Sequence, residues 1–272
     1  MKLRAPGKQP VLIAPVRPNA GVQAAYAMKL DRLITTMFRE VTHQIIPAYD
    51  VEMAMDTTLQ GLLGQLRRRW VGTFNHAQNA ISEGFRNGVL KHHDAAFKAM
   101  LSKGGFTVQF KLEPKVATKL RSITNENVDL IKSIPSQFFD DIKERVFDSV
   151  SKGRKTAELM EHLHQVYGVT RRRAAFIARD QNNKATAAIH KIRQLSLGIT
   201  SAKWRHTAAS IHPRETHAAF DGETYDIELG HDFDDGLGPV QPGEAFNCGC
   251  LCSSIIPGYD DDEESESEGE QP

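Results

Sequence analysis

Residues 170–206, TRRRAAFIARDQNNKATAAIHKIRQLSLGITSAKWRH, contain the change of character that decides the fold. Thr170 can cap a helix in which Ala174, Ile177, Gln181, Ala185, Ala188, Ile192 and Leu195 recur at steps of three and four. That face is built of mostly small residues, which suits close packing on another element. Gly198 closes the helix, and residues 200–206 then read as a strand around Trp204. A long helix running directly into a strand predicts an α+β chain that is predominantly α, with a helical N-terminal region, a helical connector and a small α+β C-terminal domain.

Upstream, the pattern is helical almost throughout. Tyr26, Leu30, Leu33, Met37 and Val41 make one apolar stripe, punctuated by Pro47, and Asp50 can cap the next helix. Leu59, Leu62, Leu63 and Leu66 precede the basic cluster Arg67–Arg69 and Trp70. Gly61, Gly64, Gly72, Gly84 and Gly88 each weaken a helix there by about 1 kcal/mol relative to alanine, so they predict either breaks or close helix contacts. Residues 102–114 read as a Gly-Gly turn and a short alternating strand or extended connector. Pro135 suits the first turn of a helix carrying Phe138, Ile142 and Val146, which Gly153 stops. Thr156 can cap a short helix with Leu159, Leu163 and Val166 inward, ended by Gly168.

Downstream of Trp204, residues 211–220 read as a loop or short helix. A turn at Asp221-Gly222 leads to an alternating strand over 223–229. A Gly/Asp/Pro-rich loop covers 230–243, and a final strand covers 250–256. The domain organisation that follows is a Pro-rich basic arm (1–20), a helical region (21–115), a C-terminal domain (116–257) and an acidic, low-complexity tail (258–272) expected to be disordered.

Formal charge is zero, but residues 260–270 carry eight acidic side chains and no basic one. Without them the body holds 34 basic against 26 acidic residues, an excess that suits nucleic acid or an acidic protein surface. A solvated surface accounts for the same charges. No run of 18 apolar residues is present, so no membrane span is expected. Prolines at 6, 10, 15 and 18 interrupt any apolar core of a signal peptide. Three cysteines, all between 248 and 252, cannot staple distant segments, which points to a reducing compartment or a particle assembled in one.

The most specific chemical cluster is Asn247-Cys248-Gly249-Cys250, with Cys252 after it and His206, His212 and His217 upstream. Thiolate and imidazole are the ligands of closed tetrahedral zinc sites. Cys248, Cys250 and His217 with a further histidine, His212 among the candidates, would complete such a set, Gly249 permitting the tight turn. The same cysteines would also serve as small buried hydrophobes at a strand start. Apart from that structural zinc, no cofactor is expected. Strings for a zinc peptidase, a nucleophile elbow or a phosphate-binding loop are absent, and so no catalytic residues are assigned. Arg171, Arg172, Arg173 and Arg179, with Lys184, Lys191 and Arg193 beyond them, could line a phosphate-contacting stripe on double-stranded DNA.

Several strings read together as a family pattern. They are 128–135 (VDLIKSIP), the helix end at 151–153, 173–180 (RAAFIARD), Trp204, Arg214-x-x-His217 followed by Gly222, and 242–250 (PGEAFNCGC) with Asn247 before the cysteines. In order and spacing they resemble the phage Mu F-like minor head proteins, the phage head morphogenesis family, over about residues 125–257. Two departures stand out. Gly249 sits between the cysteines where the family usually has arginine. Some members also carry C-x-x-C where this chain has Arg214 and His217, so only His217, Cys248 and Cys250 occupy matching positions.

The resemblance implies a non-enzymatic minor capsid component acting at the portal vertex in procapsid assembly or DNA handling. It would be located in the virion, and in the host cytoplasm during assembly. Its partners would be the portal protein and capsid or scaffold components, with packaged DNA as a further contact and no membrane. The helical half is not covered by the resemblance; its amphipathic helices suit attachment or oligomerisation. Two rivals make different predictions. A DNA-binding head protein without sequence specificity requires salt-dependent affinity, and a metal-dependent enzyme or toxin-type protein requires a tightly bound metal and a catalytic His217.

Overall fold

The computed structural model describes residues 3–5, 7, 9–51, 56–207 and 214–258. Four long helices dominate: α1 (Ala20–Val51), α2 (Asp56–Lys103), α3 (Pro114–Ser151) and α4 (Thr156–Ser196). A short helix, α5 (Glu215–Ala219), and four strands, β1 (Val11–Leu12), β2 (Ser201–Arg205), β3 (Thr224–Asp226) and β4 (Leu251–Ile256), complete the described elements. The sheet runs β1-β4-β2-β3 and every pairing is antiparallel. The expected class, α+β and predominantly α, is what the chain forms.

Contacts divide the chain into two compact units that cut across its linear order. A helical unit comprises Ala20–Gly88 and Arg121–Gln181, and a sheet unit comprises Met1–Asn19, Val89–Leu120 and Asn182–Pro272. Helices α2, α3 and α4 therefore each contribute residues to both. In the helical unit the expected stripe is buried at Tyr26, Leu30, Met37 and Val41, and Ile34, Ile45 and Tyr49 extend it. In the same unit Leu59, Leu63, Leu66, Trp70 and Phe74 of α2 and Ile131, Phe138, Ile142 and Val146 of α3 are buried as well. Tyr49 donates to the Arg154 carbonyl at 2.6 Å, and Phe38 stacks on Tyr167 at 4.3 Å.

Three expected helix boundaries do not exist. Helix α1 continues through Pro47, which is solvent-exposed near the helix end, to Val51. Pro135 lies inside α3, which begins at Pro114. An interior proline costs about 3 kcal/mol, and the buried Ile131, Ile134, Phe138 and Phe139 around it offset that cost by packing. Likewise Gly168 does not end a helix. Thr170 does not cap one either: its hydroxyl donates back to the Val166 carbonyl at 2.9 Å within a continuous α4. The five glycines of α2 make no break. Gly88 and Gly84 instead sit where an added Cβ would meet Val22 at 3.3 Å and Lys29 at 3.0 Å, while Gly61 and Gly72 face open space. The side chain of Asp50, an expected cap, is not among those described.

Gly153 and Gly198 do stop their helices, with φ of 59° and 74°. At Gly198 the Ile199 N–H returns to the Gln194 carbonyl and the Gly198 N–H to Leu195, the bond pair that satisfies a helix C-terminus. On α4 beyond Gln181, the buried positions are Asn182, Ala185, Thr186, Ile189, His190, Arg193 and Gln194; Ala188, Ile192 and Leu195 of the expected face are half-buried.

The N-terminal segment is extended, as its prolines dictate, but it is not a free arm. Leu3, Ala5, Ile13 and Val16 are buried in the core of the sheet unit with Phe97, Leu101, Trp204 and Ile256. β1 adds to the β4 edge, with Val11 opposite Ile256 and Leu12 opposite Ile255. The acidic tail beyond 258 lies outside the described residues.

Candidate metal centre

The sheet register brings the site together. Trp204 pairs with Cys252 and Arg205 with Leu251, the last pair of the β2–β4 ladder. His206 and Cys250 are the residues that flank this terminal pair, one just beyond each strand. Side chains at directly opposed antiparallel positions lie on one face a few ångströms apart, and His206 Nδ1 is 3.7 Å from Cys250 Sγ. The third group comes from α5. His217 is 2% exposed, packs edge-on against Trp204 at 5.1 Å and stacks on Phe233 at 4.3 Å. Its Nδ1 lies 3.5 Å from Cys248 Sγ and 3.8 Å from Cys250 Sγ.

The loop that carries the cysteines is fixed from several sides. Asn247 adopts the left-handed conformation at φ 56°, so the turn is made at Asn247 and Gly249 is not left-handed. Asn183 of α4 donates to the Cys248 carbonyl at 3.0 Å, and the Thr207 hydroxyl donates to Gly249 at 2.6 Å. Gly243, at φ 85°, has the Cys250 carbonyl 3.1 Å from where a Cβ would stand.

Electrostatically the two thiols act as one unit. A hydrogen bond from Cys250, aided by His217, holds Cys248 well below the ordinary thiol range against the opposing effect of burial. Sharing that proton with Cys248, then burial, pushes Cys250 up. A thiolate held next to an imidazole is the form that ligates a soft cation. Cys252 is separate: burial raises its pKa to about 11, and its sulfur accepts from Gln194 Nε2 at 3.6 Å.

The expected site residues divide clearly. His217, Cys248 and Cys250 converge, each within 4.8 Å of the others through a ligand atom. His212 lies outside the described residues, and His206 occupies the neighbouring position. Trp204 is the aromatic wall of the site, and Gly222, at φ 86°, donates to the Trp204 carbonyl at 2.9 Å. Arg214 precedes α5 and donates to the Phe246 carbonyl at 3.1 Å.

The arginines expected to line a stripe on α4 differ in their surroundings. Arg171 pairs with Asp31, Arg173 donates to the Ser133 hydroxyl at 2.9 Å, and Arg179 lies over Phe176 at 5.5 Å. Arg172 is exposed. Arg193 is buried, held by Asp94 at 2.6 Å and 2.9 Å and by the Lys111 carbonyl at 2.6 Å. The pattern of basic residues at helical spacing carries no information about which acids meet them from other helices.

Residues 140–253 match the sequence model of the family described as Phage Mu protein F like protein, so this part of the chain, which contains the whole cluster, is Mu F-like. The chain is also similar to an uncharacterized protein of Haemophilus influenzae (strain ATCC 51907 / DSM 11121 / KW20 / Rd), at 30% identity over 184 residues. That alignment takes in 64% of this chain and 39% of the relative's length. No solved structure matches.

Proposed function

We propose that the chain is a minor head protein of a tailed phage or prophage that acts at the portal vertex in procapsid assembly or DNA handling. The observation that carries this reading is the Mu F-like segment over residues 140–253, with its cysteine–histidine cluster assembled in a folded sheet unit. The role is structural, with the portal protein and capsid or scaffold components as partners, in the assembling cell and then in the virion. Among the described residues no helix is long and apolar enough to cross a membrane. An electrostatic DNA-binding role draws less support, because Arg171 and Arg173 are engaged within the helical unit.

Quantitative mass spectrometry of gradient-purified procapsids and virions from the source phage tests the proposal. A few copies per particle, lost when the portal gene is deleted, is the expected result. Absence from both particles overturns it.

A further inference from the structure

We infer that His206, His217, Cys248 and Cys250 form a closed four-ligand zinc site that pins α5 and the Asn247–Cys250 turn to the sheet. The inference goes beyond the head-assembly reading and stands on the geometry of these side chains. Tetrahedral zinc, with bonds of about 2.3 Å to sulfur and about 2.0–2.1 Å to nitrogen, requires sulfur–nitrogen edges of roughly 3.5–3.6 Å. The edges here are 3.5 Å (His217 to Cys248), 3.8 Å (His217 to Cys250) and 3.7 Å (His206 to Cys250). His217, Cys248 and Cys250 form the preassembled trio, and His206, which touches it through Cys250, completes the set by a turn of its ring when the ion binds. An isolated thiol–imidazole hydrogen bond explains one such approach. It does not explain one imidazole nitrogen facing two sulfurs while a second imidazole faces one of them, because Nδ1 has a single proton or a single lone pair to offer.

The fourth position is set by the sheet. His206 stands one residue past the Arg205–Leu251 pair, so the register that forms the β2–β4 ladder delivers its ring to Cys250. Arg214, which immediately precedes α5, donates to the Phe246 carbonyl instead. The remaining cysteine is also committed elsewhere, since Cys252 takes its contact from Gln194. Two thiolates and two imidazoles select a soft or borderline cation over calcium or magnesium, and a tetrahedral set of this kind suits zinc. His217, Cys248 and Cys250 are 2%, 4% and 4% exposed and His206 is half-buried; four protein ligands fill the tetrahedron, whereas a catalytic zinc keeps one position for water or substrate. The ion's role is therefore structural.

The test uses the untagged full-length chain, purified under reducing conditions, with metal measured by elemental mass spectrometry and the site probed by cobalt(II) substitution. About one zinc per chain is expected, with the visible absorption of tetrahedral cobalt and thiolate-to-cobalt charge transfer. His206→Ala should weaken zinc binding by at least about tenfold, the scale on which even second-sphere changes act. His206→Cys should retain the metal and intensify the charge-transfer band, which keeps the assignment testable if Cys248→Ser or Cys250→Ser fails to fold. His212→Ala should leave binding unchanged. Absence of zinc together with a silent cobalt titration of folded, reduced protein overturns the site. Release of metal by His212→Ala but not by His206→Ala overturns the assignment of the fourth ligand.

Discussion

His93 Nε2 and His190 Nδ1 meet at 3.0 Å inside the sheet unit, one ring from α2 and the other from α4. His93 Nδ1 faces Asp94 at 3.4 Å. If that nitrogen carries the proton, Nε2 is the acceptor and His190 the donor, and the contact is one between neutral imidazoles. Burial is the largest influence on both rings and lowers both pKa values; Asp94 opposes it at His93, while Arg193 and His92 reinforce it. In the unfolded chain both titrate near 6.5. As pH falls below that value the unfolded chain takes up protons that the folded chain refuses, so stability falls with falling pH. The slope reaches about 1.4 kcal/mol per pH unit for each histidine until the folded pKa is passed. Urea unfolding between pH 8 and pH 5 should show this decline, and His190→Gln should make it shallower. An unchanged slope in that variant would count against the pair as its source.

The ion pair beside it should behave as a buried one. Arg193 has a side chain 2% exposed, two bonds to Asp94, one to the Lys111 carbonyl, and the Phe110 ring 4.7 Å from its guanidinium carbon. Removing one partner strands a buried charge, so Asp94→Ala should cost about 3–5 kcal/mol. Adding Arg193→Met should recover part of that loss, as measured by a denaturant double-mutant cycle. Simple additivity of the two changes would refute the coupling.

Glycines in α2 should separate into two classes. Gly72 faces open space, so Gly72→Ala should stabilise by about 1 kcal/mol through helix propensity alone. Gly88 abuts Val22, where a Cβ would stand 3.3 Å from both methyl groups, and Gly88→Ala should gain little or lose stability. Thermal melts of the two variants decide; equal gains would mean that the α1–α2 approach at Gly88 is not tight.

Truncation of residues 1–13 should destabilise the sheet unit. It removes buried Leu3, Ala5 and Ile13 and strips β1 from the β4 edge. Each large aliphatic side chain withdrawn from a core costs about 1.5–3 kcal/mol. Differential scanning calorimetry of the truncated chain provides the check, and an unaltered melting temperature would mean that the segment contributes nothing to the fold.

Much of the architecture was legible because it rests on periodicity. The stripe from Tyr26 to Val41, the strand around Trp204, the turn at Gly222 and the stops at Gly153 and Gly198 all follow from local spacing and φ preference. Failures came where packing outweighed a local signal. Pro135 reads as a helix start, yet the apolar residues flanking it hold the helix on both sides. Thr170 reads as a cap, yet its hydroxyl bonds within the helix once Gly168 is carried through. For the candidate metal centre, the Cys-x-Cys turn and His217 were readable as a ligand-type cluster. The approach of His206 to Cys250 was not readable, because it depends on the register of β2 against β4. The His93–His190 and Asp94–Arg193 contacts left no mark, since their partners are about a hundred residues apart.

By itself the sequence determined the helical and strand periods, the class of fold, the Mu F-like pattern and the chemical type of the cysteine–histidine cluster, because those properties reside in neighbouring residues. The tertiary structure alone decided that the proline-rich segment adds an edge strand and buries Leu3, Ala5, Ile13 and Val16, that Arg193 is an internal ion-pair partner and that His206 lies beside Cys250. Each of these depends on which distant segments meet, and that is fixed by the burial of apolar faces and the register of the sheet.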